Sequence, residues 1–246
     1  MSNQYCNALT ILGPTTTGKT SVAFEVARRL GGEMINGDKF YTFRGFSIST
    51  GLFDSLQSPD ISTHLYQILE PTSERLTVPS YKGMVDLLVP QLLEMGKLPV
   101  IEGCSYGYIN ALIEGNEQLN HFQYHPLVGL RWAKPCNVHE EIERRVDEMF
   151  KGGLLDEVQG ALSKGYGDTY VMRKSVICVP IVELLKGEID ERTAKDKILV
   201  GILDIAYNEL RKFLDVPEIH WIEHDSTKME DTLTQIEELT RESNHL

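Results

Sequence analysis

Basic residues are in short supply in this 246-residue chain, which has 24 Lys and Arg against 36 Asp and Glu, a net charge of −12. A protein that grips a long nucleic acid gains affinity from each phosphate it neutralises and so carries a basic face. No basic tract is present here, which lowers the expectation of a large RNA substrate. Cysteine is also scarce. Cys6, Cys104, Cys136 and Cys178 stand far apart, with no C-x-x-C pair and no metal-ligand spacing. They read as reduced, cytosolic thiols. The chain has no long apolar run, and its start has no charged segment leading into an apolar one, so neither membrane spanning nor export is expected and the cytoplasm is the expected location. Internal repeats, low-complexity tracts and clear linkers are missing too. The length suits one α/β domain with an appendage.

What is present is concentrated near the start. Gly13-Pro14-Thr15-Thr16-Thr17-Gly18-Lys19-Thr20 fits G-x-x-x-x-G-K-[ST], follows the apolar run Ala8 to Leu12, and opens a segment with helical spacing at Val22, Ala23, Val26, Ala27 and Leu30. In such a loop the backbone N–H groups turn inward around phosphate oxygens and the helix N-terminus adds partial positive charge. Lys19 neutralises phosphate, and the Thr20 hydroxyl reaches a divalent metal. The motif predicts a polyphosphate site, and leaves open whether phosphate is transferred or expelled.

Further along, strands are expected at Glu33 to Asn36, Leu98 to Gly103, Val128 to Trp132 and Ile219 to Ile222. Helices are expected at Tyr81 to Glu94, Ser105 to Ile113, Val138 to Phe150, Leu154 to Ser163, Ser175 to Leu185, Thr193 to Leu214 and Met229 to Arg241, with a kink at Pro180. Lys39 to Leu69 is poorly periodic and reads as a loop with short helical pieces, forming a lid or wall. Alternating strands and helices imply a parallel sheet with ligands beyond the carboxyl ends of its strands. The fold class is therefore α/β, a P-loop NTPase-like parallel sheet flanked by helices, with residues 1–137 as the core and the mainly helical residues 138–246 completing the substrate channel.

Gly13 to Thr20, Gly32 to Asp38 and Tyr41 to Thr50 closely resemble the isopentenyltransferases, a family that includes tRNA dimethylallyltransferases and adenylate isopentenyltransferases. The likeness continues through Leu98 to Ser105, similar to a strand ending in Gly-Gly-[ST], and Ile142 to Met149, similar to an arginine helix. The resemblance implies that the loop residues Gly13, Thr16, Thr17, Gly18, Lys19 and Thr20 hold the diphosphate of dimethylallyl diphosphate as a leaving group. Thr15 would contact its reacting end, with Mg2+ at Thr20. Ser105 and Arg145 would add diphosphate contacts. Asp38 would accept a proton from the attacking amine and orient it. Thr50 and Tyr207 would lie near the acceptor. On spacing alone Arg145 reads as an ion-pair partner of Glu141, Asp38 as a turn residue, and Tyr207 as a core aromatic beside Leu203 and Leu210.

In the tRNA-modifying members a long helical insertion follows the segment matching Ile109 to Gly115, and this chain has almost none, reaching Asn120 to His125 within a few residues. With the acidic balance, this favours a free adenine nucleotide, AMP foremost, and makes tRNA unlikely. Two departures stand out: Cys104 replaces the second glycine of Gly-Gly-[ST], and Val179-Pro180-Ile181 replaces Val-Gly-Tyr. Prenyl transfer to tRNA or to another small amine, a small-molecule kinase and a catalytically silent nucleotide-binding module stay open as alternatives.

Overall fold

The computed structural model describes residues 7–52, 60–114, 123–134 and 137–243. Its centre is a six-stranded sheet of β1 (Leu9–Leu12), β2 (Glu33–Asn36), β3 (Thr63–His64), β4 (Pro99–Gly103), β5 (Leu127–Trp132) and β6 (Ile219–His224). Every pairing is parallel, in the order β3-β2-β4-β1-β5-β6. A parallel sheet is covered on both faces, so its strands read as apolar runs; β1 is buried at all four positions.

The helices are α1 (Lys19–Leu30), α2 (Ser47–Thr50), α3 (Val78–Glu94), α4 (Tyr106–Glu114), α5 (Val138–Lys151), α6 (Leu154–Ser163), α7 (Tyr170–Lys174), α8 (Cys178–Leu185), α9 (Glu191–Phe213) and α10 (Met229–Ser243). On one face of the sheet, Val22, Val26 and Ala27 of α1 join Leu233 and Ile236 of α10 over Leu9, Ile11 and Val100. On the other, Tyr81, Val85 and Leu92 of α3 and Ile109 of α4 cover Leu12, Ile35 and Ile101. A third cluster, built on Ile142, Val146, Val158, Ile181, Ile198 and Ile202, holds α5 to α9 together and takes in Phe43 and Phe46 from the segment after β2. Burying each such aliphatic side chain contributes about 1.5–3 kcal/mol. The C-terminal part of the chain thus supplies both this helical cluster and, through β6 and α10, part of the sheet layer.

Two local expectations are corrected. Ser175 to Leu185 is not one helix: α7 ends at Lys174, Ser175 is extended, and α8 starts at Cys178. Pro180 therefore falls in the first turn of α8, where an amide has no intrahelical acceptor, and the expected kink does not arise. The segment 39–69 contains β3 as well as α2, with a parallel bridge between Phe43 and Leu69; β3 is too short for periodicity to reveal. Residues 53–59 of that segment, and the short connection 115–122, lie outside the described residues.

Candidate active site

The parallel sheet brings the ends of β1, β2 and β4 to one edge, and the site is built there. After β1 the chain passes through left-handed Thr16 (φ 73°) and Gly18 (φ 77°) before α1 starts at Lys19. Thr17 braces the turn by donating its hydroxyl to the Pro14 carbonyl at 2.8 Å. Beneath the loop, His224 bonds Thr232 Oγ1 at 2.8 Å, and burial lowers its pKa.

Lys19 and Glu102 form the floor. Lys19 is buried, as is Glu102, near the end of β4. Burial works against the Lys19 ammonium, yet nearby acidic groups, Glu102 and Glu209 among them, more than offset it and raise its pKa above the ordinary lysine value. Burial pushes the Glu102 carboxyl up, with Lys19 opposing. The Thr20 hydroxyl lies 3.3 Å from both Glu102 oxygens, and Tyr66 donates to Oε1 at 3.2 Å. The signal for Glu102 was in the sequence: it is the one charged residue in the apolar run Leu98 to Gly103.

Asp38 follows β2. Its Oδ1 accepts the Phe40 N–H at 2.8 Å, and its Oδ2 accepts the Cys104 thiol at 3.1 Å. The two segments meet because Gly103 has no side chain; a Cβ there would collide with the Gly37 backbone. Burial raises the Cys104 pKa well above the ordinary thiol value, so it acts as a neutral donor to the carboxylate.

Asp38 and the loop residues Thr15, Thr16, Gly18, Lys19 and Thr20 line a single cavity of about 560 Å³. Phe40, Met149, Val176, Ile177, Ile202 and Ile205 give it an apolar wall, and Lys39, Tyr106 and Lys212 stand along its lining. Glu157 of α6 accepts the Ile48 and Ser49 amides at 2.8 and 2.9 Å, which fixes α2 and the adjoining Gly51 at the cavity edge. Arg145 lines the cavity and packs over Gly51, where a Cβ would strike its guanidinium. It forms no ion pair among the described residues, whereas its neighbour Arg144 takes Glu141 at 2.9 Å and also pairs with Glu148. The pairing that helical spacing offered to Arg145 belongs to Arg144.

The remaining expected residues are less directly placed. Gly13 is buried under the loop against Leu130 rather than on the cavity wall. Ser105 lines the cavity, but its Oγ accepts the Lys39 amide at 2.9 Å. Thr50 also lines it, with its hydroxyl returned to the Phe46 carbonyl at 2.6 Å. Tyr207 does not reach the cavity: it is 51% exposed and sets its ring against Trp132. The helical repeat explains this, since Ile202, Ile205, Glu209 and Lys212 share the inward face of α9 and Tyr207 falls outside it. Glu209, whose carboxylate meets the loop at Thr15, had no sequence signal. Among the described residues no three His, Cys, Asp or Glu side chains converge as a metal cluster, and no helix is long and apolar enough to cross a membrane.

A family model described as IPP transferase matches residues 41–127 and 118–206. The chain belongs to this family and is a prenyltransferase. A tRNA dimethylallyltransferase of Caldanaerobacter subterraneus is 25% identical over 297 aligned positions, covering 92% of this chain and 94% of that protein. The chloroplastic adenylate isopentenyltransferase 3 of Arabidopsis thaliana is 34% identical over 152 residues, covering 61% of this chain but only 44% of that protein. In fold, the chain is similar to a full-length tRNA isopentenylpyrophosphate transferase from Bacillus halodurans, with a TM-score of 0.82, 20% identity and 98% of each chain covered. Relatives of both acceptor types are thus present, and the expectation that tRNA is unlikely finds no support in them.

Proposed function

We propose that the protein transfers a dimethylallyl group from dimethylallyl diphosphate to the N6 amine of a free adenine nucleotide, AMP foremost, and releases diphosphate. The observation that carries this reading is the shared cavity, lined by a phosphate-binding loop, a carboxylate, Asp38, and an apolar wall. A phosphoryl-transfer site has no need of that apolar wall, whereas a five-carbon chain fills it. As the C1–O bond to diphosphate breaks, the amine lone pair forms the C1–N bond and its proton passes to Asp38. Negative charge grows on the leaving group, and fixed donors aimed at such charge are commonly the largest electrostatic contribution to catalysis. The loop amides, Lys19 and Arg145 supply those donors, and Thr15 stands at the reacting end.

The oxygen donors Thr20 and Glu102, facing each other beside Lys19, suit a hard cation such as Mg2+ completed by phosphate and water. When bound, it adds positive charge against the diphosphate. Lys39 and Lys212, set against the Phe40 and Tyr106 rings, suit a phosphate-bearing acceptor small enough to enter the cavity. The alignment with the tRNA-modifying relative runs over 297 positions, more than the 246 residues of this chain, so that relative carries segments without a counterpart here. A tRNA adenosine acceptor is the second reading, favoured by the 92% of this chain that aligns with that relative.

Incubation with dimethylallyl diphosphate, magnesium and a panel of AMP, ADP, ATP, adenosine and unmodified tRNA, followed by product mass, tests both. A gain of one prenyl unit on AMP is the expected result. Product on tRNA alone selects the second reading, and no prenylated product overturns both.

A further inference from the structure

One residue of the phosphate loop already has its donors engaged. Thr15 gives both its backbone N–H and its hydroxyl to one oxygen, Oε2 of Glu209, at 2.8 and 3.0 Å. Glu209 reaches across from α9, more than 190 residues away in sequence, and also faces the Cys104 thiol and Lys19. A carboxylate accepting two hydrogen bonds from a loop shaped for anions is well satisfied where it is. The same donors face the space in which a diphosphate oxygen would be held, and two negative groups cannot share them without repulsion. Lys19 does not resolve the conflict, because Glu102 already lies beside it.

We infer that Glu209 is a built-in competitor for the donor diphosphate, occupying Thr15 until the donor displaces it, so that donor affinity is set by this exchange. The inference rests on the reading that the loop holds the donor's diphosphate. An apparent affinity falls in proportion to the fraction of protein in the competent state. Removing the charge of Glu209 while keeping its shape therefore tightens binding.

The test is calorimetric titration of inorganic pyrophosphate, with magnesium chloride, into the wild-type chain, Glu209→Gln and Glu209→Ala, with thermal melting to verify that each variant folds. The expected result is a Kd lower by about tenfold in both variants, as for a competing state populated at roughly nine parts in ten, with a parallel fall in donor KM. Agreement between Gln and Ala assigns the effect to charge rather than to packing. Binding by the variants but not by the wild type supports the inference more strongly still. An unchanged or higher Kd in both variants overturns it, the latter because the carboxylate then helps to hold the anion or its metal. If no form binds pyrophosphate, the donor reading itself fails and this inference falls with it.

Discussion

The two parts of the cavity lining are made in different ways. The phosphate side is a single run of eight residues, Gly13 to Thr20, from the end of β1 into the first turn of α1, whereas the acceptor side is assembled from Asp38 after β2, Cys104 after β4, Ile177 before α8, and Ile202 and Ile205 on α9. One side is a local motif whose backbone carries the chemistry. The other exists only once the sheet order and the helical cluster have formed. The first side is therefore expected to fail through loss of binding, and the second through loss of turnover or a change in preference.

The largest effect is expected on the phosphate side. Lys19→Ala removes a buried cation from the leaving group, and turnover is expected to fall by about 10³-fold, with pyrophosphate affinity lost in the same calorimetric assay. Retained affinity would break the comparison there. On the acceptor side, Asp38→Asn is expected to lower kcat by about 10²–10⁴-fold while the Kd for pyrophosphate stays the same; a parallel loss of binding would place Asp38 on the wrong side.

Gly51→Ala probes the packing of Arg145. The residue has φ 75°, and a methyl group there meets the Arg145 guanidinium. A non-glycine residue in this conformation costs about 1–2 kcal/mol, seen as a lower Tm, and displacement of Arg145 is expected to reduce kcat/KM for the donor by about tenfold. Cys104→Ala removes one donor to Asp38, and a fall in kcat of about threefold is expected, on the scale of one modest hydrogen bond. Tyr207→Phe is the smallest change: a half-exposed ring away from the cavity should leave kcat and KM within about twofold, as for surface substitutions in general. A larger change would restore the acceptor contact that the structure does not show.

How much of this was legible in the sequence follows the same division. The phosphate loop and the strand and helix around it could be read from adjacent residues, because their geometry is local, whereas Asp38 reads as a turn residue on spacing alone and its role came from the family resemblance. The helices α5, α6, α9 and α10 were legible from periodicity to within about two residues at each end. Glu102 could have been found as a charge inside an apolar strand. Glu209 could not, since nothing in the amphipathic pattern of α9 tells which turn will face the loop, and the expectation for Tyr207 failed for that reason. The break before α8 was hidden because Pro180 reads equally as a kink and as a first-turn residue until the helix start is known. Acceptor identity is the least legible feature, because the side chains on that side of the cavity come from four separate segments.

In the proposed reaction the loop holds diphosphate as a leaving group while the amine beside Asp38 forms the new bond. The most direct measurement is the phosphate product released from dimethylallyl diphosphate when AMP and magnesium are supplied to the wild-type chain. One pyrophosphate per prenylated nucleotide is predicted, with orthophosphate absent. Release of orthophosphate, or transfer of a phosphoryl group to the nucleotide, would contradict it.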